Sequence, residues 1–238
     1  MFVSKELEFL NSELKKKVDL KYKQGMFNYF KEPIKNFGVR SKDVDFIGKN
    51  FFVQKKNDWN FEHFLELSEE LYKTGIMENC SLATFLIEKN KKFFEKKHFK
   101  VFEKIIEKYL NNWGQIDGFC THPMAEFLKK FPEFSQKVVA WHASKNLWKR
   151  RAACVSFIPM ARKTKQFDKQ IFQIAEFLRK DKEDLVQKGA GWLLKEKSNE
   201  NKKLVIDYLM KVRKDTPRLV LRYAVEKLSK QEKQKILQ

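Results

Sequence analysis

Glycine and proline are scarce, with 8 and 5 in 238 residues. That is too few for the many tight turns of an all-β fold. Cysteine is scarcer still. Cys80, Cys120 and Cys154 are odd in number, far apart and without a C-x-x-C pair, which argues against a disulfide framework or a zinc site and fits a reducing cytosol. Long apolar runs are missing. Nowhere do 18 apolar residues follow one another, so no membrane span is expected. The opening MFVSKELEFL has no long apolar stretch, and no signal peptide is expected. No strong strand signal and no Gly/Ser-rich linker appears, so one domain over residues 1–238 is expected. Arginine is rare as well: of 8, 7 lie after residue 149.

What is abundant points to helices and to a polyanion. Hydrophobic residues make up 42% of the chain, enough to build a core, and Lys, Glu, Leu and Phe dominate. The formal charge is +19. Clustered Lys and Arg gain free energy by releasing counterions from phosphates, so an excess this large implies a polyanionic partner. The competing reading is AT-rich coding, which would enrich Lys, Phe, Ile and Asn together on solvated faces.

Apolar spacing is helical almost throughout. In 98–110, Phe99, Phe102, Ile105, Ile106, Tyr109 and Leu110 share one face, and Lys100, Glu103, Lys104, Glu107 and Lys108 share the other. Breaks are expected near 31–40, 55–60, 73–77, 122–123, 131–132, 144–146, 180–184, 198–201 and 215–217. These imply about a dozen helices of about 10–16 residues. Trp113, Trp148 and Trp192 stand 35 and 44 residues apart. Helix pairs repeating at about 40 residues are the signature of HEAT or armadillo arrays, which stack into a curved ribbon with a concave surface.

Three constellations carry chemistry. In WGQID, Trp113 and Asp117 are four apart and share a helix face. A π face beside a carboxylate suits a cation; the bland alternative is a Trp at a repeat junction with a solvated Asp. In WKRRAA, Arg151 falls within an apolar stripe and needs a partner, either a structural carboxylate or a DNA phosphate. In DLVQKGAGWLLK, Val186, Ala190 and Leu193 form a core face, while Lys188, Trp192 and Lys195 form the opposite one. Gly189 and Gly191 inside this helix cost about 1 kcal/mol each relative to Ala. They imply close approach of another backbone, a neighbouring helix or DNA.

Together these motifs resemble the AlkD-type DNA alkylation-repair family, which carries a Trp and Asp four apart, then Trp–x–x–Arg–Ala–Ala, then Gly–Trp–x–Leu–Arg/Lys–Glu. The resemblance extends upstream through Tyr29-Phe30 and Phe37-Gly38-Val39-Arg40-Ser41, and downstream towards Arg222. It departs at Gly114-Gln115, where acidic or polar residues are common, at Lys195, which replaces Arg, and at Tyr72, which replaces a Trp.

The resemblance implies an all-α fold, a right-handed superhelical solenoid of HEAT-like helical repeats that grips duplex DNA. It implies a DNA glycosylase for N3- and N7-alkylated purines, working without metal or cofactor. Asp117 would be the catalytic carboxylate, with Trp113 and Trp192 lining the lesion cleft. Arg151, with Arg150, Lys188, Lys195, Arg40, Ser41 and Arg222, would hold DNA. A monomer is expected, in the cytoplasm or nucleoid. The alternatives are a non-catalytic HEAT-repeat DNA-binding protein and a protein-interaction scaffold.

Overall fold

A computed structural model describes residues 2–238, with the backbone alone at residue 2. Among the described residues the regular elements are helical, and the one β-bridge is an isolated parallel one between Lys35 and Ile76. The chain divides into two compact units, Met1–Glu126 and Phe127–Gln238.

The first unit contains α1 (Phe2–Lys15), α2 (Leu20–Met26), α3 (Ser41–Lys55), α4 (Phe61–Lys73), α5 (Met77–Lys89), α6 (His98–Lys108) and α7 (Trp113–Phe119). The division falls within α8 (Ala125–Lys130). Helix α5 packs against α3, α4 and α7, so it is the spine of this unit. Helix α6 follows its sequence pattern: Phe99, Phe102, Ile105 and Ile106 are buried, and Lys100, Glu107 and Lys108 are exposed. Phe102 meets Phe94 and Phe119 edge-on at 5.1 and 5.5 Å. Each such ring, fully buried, contributes about 1.5–3 kcal/mol.

The turn entering α3 is built by one buried acid. The Glu78 carboxylate, at the start of α5, accepts the backbone N–H groups of Phe37, Gly38 and Val39 at 3.0, 2.8 and 2.9 Å. Gly38 has φ +90, and a Cβ there would lie 2.5 Å from the Lys23 Cβ and 2.9 Å from the Asp19 carbonyl oxygen. Only glycine fits both demands. This turn places Arg40 and Ser41 at the start of α3.

The second unit contains α9 (Ser135–Val139), α10 (Leu147–Val155), α11 (Ile158–Ala161), α12 (Asp168–Leu178), α13 (Asp184–Glu200), α14 (Lys202–Val212), α15 (Arg218–Ala224) and α16 (Lys230–Leu237). Helix α13 touches α10, α11, α12, α14 and α15. Its buried stripe includes Val186, Ala190 and Leu193, as the sequence spacing predicts. Its two interior glycines face protein. A Cβ at Gly191 would lie 2.5 Å from the Tyr223 Cβ and 2.8 Å from the Val220 carbonyl oxygen of α15. One at Gly189 would lie 3.3 Å from the Cys154 Cβ of α10.

The helices are more uneven than expected, running from the 4 residues of α11 to the 17 of α13. The break expected at 122–123 is a π-helical passage, Cys120–Met124, where Pro123 lacks the N–H that a regular helix needs. Near 198–201 the helix continues to Glu200, and Asn201 caps α14 by accepting the Leu204 N–H.

Candidate functional site

Asn112 caps α7, its side chain accepting the Gln115 N–H at 3.0 Å. Gln115 accepts the Asn111 N–H at 3.0 Å and reaches Cys80 Sγ at 3.3 Å. The start of α7 is therefore tied to α5, and this orients Trp113. The indole stacks on Phe30 with centroids 4.9 Å apart and planes 16° from parallel. Its Nε1–H donates to the Tyr29 carbonyl at 3.3 Å. Gly114 makes room for the stack, since a Cβ there would lie 3.3 Å from Phe30 Cζ and 3.2 Å from Met77 Cε. Asp117 follows one turn later on the same face, and both it and Trp113 are half-buried.

Gly114, Gly118 and His122 line the adjoining face, which looks into a groove of about 620 Å³ between α3, α5 and α7. Lys42, Lys49 and Lys89 stand along it with Phe46 and Phe85. His122 Nδ1 lies 3.2 Å from Glu88 Oε1 in the same groove. Glu88 pushes the imidazole above its ordinary value, and His122 holds the Glu88 carboxyl below the usual carboxylate range. Burial pushes the Cys80 thiol up to about 12, so it is a neutral packing group. Cys120 and Cys154 are buried as well.

Just before α3, Arg40 is exposed and pairs with Asp19 at 2.9 Å, its guanidinium 5.0 Å from the Tyr22 ring centre. The Tyr22 backbone N–H, and then Arg40, hold the Asp19 carboxyl below its usual range. Ser41 is exposed as the first residue of α3.

In the second unit the adjacent arginines part company. Arg150 is buried, with Nε and Nη2 on the Asp181 carboxylate at 2.6 and 3.0 Å and Nη1 on the Ser144 and Lys145 carbonyls. It ties α10 to the loop before α13. Arg151 is buried too, and its Nη1 donates to the Leu185 carbonyl in the first turn of α13. Lys188 is half-buried, Lys195 pairs with Glu226 at 2.9 Å, and Arg222 is exposed on α15.

Trp192 is half-buried, and its Nε1–H donates to Glu196 Oε1 at 3.2 Å. Sequence reasoning missed Glu196. The signal was present: Trp192 and Glu196 repeat the four-residue spacing of Trp113 and Asp117. It missed Glu78 for a different reason. A lone acid at the start of a helix reads as solvated, and only the long-range turn it caps reveals its burial.

The structure brings Trp113 and Asp117 together in the first unit, and Arg151, Lys188, Trp192 and Lys195 onto α10 and α13 of the second. A predicted DNA alkylation repair enzyme from Enterococcus faecalis has a similar structure, with a TM-score of 0.78 at 20% identity over 90% of this chain and 98% of that one. At that identity the likeness establishes the all-α fold. No curated protein matches the sequence. The family model described as DNA alkylation repair enzyme matches residues 10–228, nearly the whole chain. The chain belongs to the DNA alkylation repair enzyme family.

Proposed function

We propose that this chain is a DNA glycosylase that releases positively charged N3- and N7-alkylated purines from duplex DNA by hydrolysing the N-glycosidic bond. One observation carries the reading: an indole held by a stacked ring and a carbonyl, with a carboxylate one turn away on the same face. An aromatic face and a carboxylate both favour a cation, and alkylation at N7 or N3 makes the purine one.

The chemistry follows from charge. The bond from C1′ to the purine breaks with both electrons passing to the base, which becomes neutral. Positive charge then builds on the sugar. The Asp117 carboxylate about 4 Å from that charge stabilises it by roughly 4 kcal/mol at an effective dielectric of 20. That is about a thousandfold in rate. Water adds to C1′ and gives up a proton to the solvent. A charged purine leaves without being protonated, so no acid is needed at the base.

Arg151, Lys188, Lys195, Arg222, Arg40 and Ser41 serve the DNA backbone in this reading, and Trp192 serves the lesion. Arg150 supports them by holding the loop before α13 on α10. No cofactor is required, and the enzyme acts as a monomer where chromosomal DNA lies. The test is product analysis. Duplex DNA containing N7-methylguanine should yield the free base, while a duplex containing uracil should yield nothing, because a neutral base is a poor leaving group. Tight duplex binding with no release from either would make the chain a non-catalytic DNA-binding protein.

A further inference from the structure

Glu196 is 5% exposed and is a junction of four side chains. Its carboxylate accepts the Trp192 indole N–H at 3.2 Å and the Asn199 amide at 2.9 Å. The same oxygens lie 3.3 Å from Lys227 Nζ and 3.3 Å from Arg162 Nε. Arg162 follows α11 and Lys227 follows α15, so the three cation and indole donors come from separate elements. Both cationic side chains remain 44% exposed. The contact to Arg162 uses Nε, whereas a guanidinium grips a phosphate best through its paired terminal nitrogens.

A buried carboxylate is costly unless its lone pairs are met. Here they are met by four groups, and two of these, Arg162 and Lys227, are exposed. We propose that Glu196 is a positioning residue: it fixes the Trp192 indole and, with the same two oxygens, holds Arg162 and Lys227 as a pair that binds a backbone phosphate of DNA next to that indole. The proposal rests on the reading of Trp192 as a DNA-facing residue. The contrast with the first unit supports it. There the Trp113 N–H goes to a backbone carbonyl, while here the N–H goes to the carboxylate four residues on.

Three variants of the full chain test this. Glu196→Gln keeps an oxygen for the indole and removes the charge that holds the cations. Glu196→Ala removes both. Arg162→Ala/Lys227→Ala removes both cations and keeps the Glu196 carboxylate as acceptor for the Trp192 indole and the Asn199 amide. Nitrogen-15 indole spectra report Trp192 directly, with Trp192→Phe assigning its line. Fluorescence anisotropy with an undamaged duplex reports the phosphate contacts.

The Trp192 line should move in Glu196→Ala and stay near its place in Glu196→Gln. The slope of log affinity against log salt should fall by about one in the double cation variant, since the pair neutralises one phosphate and each phosphate contributes about 0.9. It should also fall in Glu196→Gln. With duplex saturating, so that lost phosphate contacts do not count, single-turnover excision of N7-methylguanine by Glu196→Ala should match that of Trp192→Ala, and combining the two should lower it no further.

An unmoved indole line in Glu196→Ala, or an unchanged salt slope in the double cation variant, would overturn the proposal. If Glu196→Ala does not fold, the double cation variant and Glu196→Gln decide it. Spectra and binding need no turnover, so a wild-type protein that releases no base would sink the glycosylase reading without touching these results.

Discussion

Arg150 and Arg151 are neighbours in sequence and both are buried, yet their guanidinium groups meet different things. Arg150 forms a two-pronged pair with Asp181, and each partner is under a tenth exposed. Removing one member of a buried pair leaves the other charge uncompensated, at a cost of about 3–5 kcal/mol. Arg150→Ala should therefore lower the urea midpoint strongly and leave the salt slope of duplex binding unchanged. Arg151→Ala, if Arg151 reaches a phosphate, should flatten that slope by about one contact. An unchanged slope for Arg151 would confine it to a structural role within the protein, such as its bond to the Leu185 carbonyl. The two were inseparable in sequence, because Asp181 lies 31 positions from Arg150 and no local pattern links them.

The His122–Glu88 pair titrates within the groove. The raised imidazole contributes stability fully below the unfolded value, near pH 6.5, and loses it as pH rises through the folded value. The lowered carboxylate contributes above its unfolded value, near pH 4.3, and loses it as pH falls through the folded value. The pair is thus strongest between about pH 4.3 and 6.5. His122 is 55% exposed, so the pair should be worth under about 1 kcal/mol. A double-mutant cycle of His122→Ala and Glu88→Gln should show coupling near pH 5.5 and none near pH 9. Equal coupling at both would mean the contact is not ionic.

At the scale of the helix, α13 depends on a backbone approach that its sequence half disclosed. Two glycines in a helix announced that something comes close; the structure identifies α10 and α15. Gly191→Ala should push α15 away, because the Val220 carbonyl oxygen is backbone and cannot rotate aside. Overpacking of this kind costs about 1–3 kcal/mol. The check is a thermal melt, and an unchanged or raised midpoint would show that α15 can shift freely. Helix α7 was less legible. Its length is set by Pro123 and by the caps from Asn112 and Gln115 rather than by apolar periodicity. Helix α6, whose faces are cleanly divided, could be read from sequence almost to the residue.

Across the whole chain, the +19 charge makes electrostatics the first-order test of partner class. Duplex binding with about 6–10 phosphate contacts should weaken by roughly 10³–10⁵ between 50 and 200 mM salt. Binding that ignores salt would instead favour a protein scaffold whose lysines are compositional. Fold class, breaks and the Trp113/Asp117 pair were legible because helical spacing is local. The long-range partners of Trp113 and Arg150 were not. The most direct measurement is single-turnover release of N7-methylguanine from a duplex by wild-type protein and by Asp117→Asn, which keeps the shape and removes the charge. Wild-type protein should release the base, and Asp117→Asn should be slower by about a hundredfold or more with nearly intact DNA affinity. Release by Asp117→Asn at the wild-type rate would contradict the assignment.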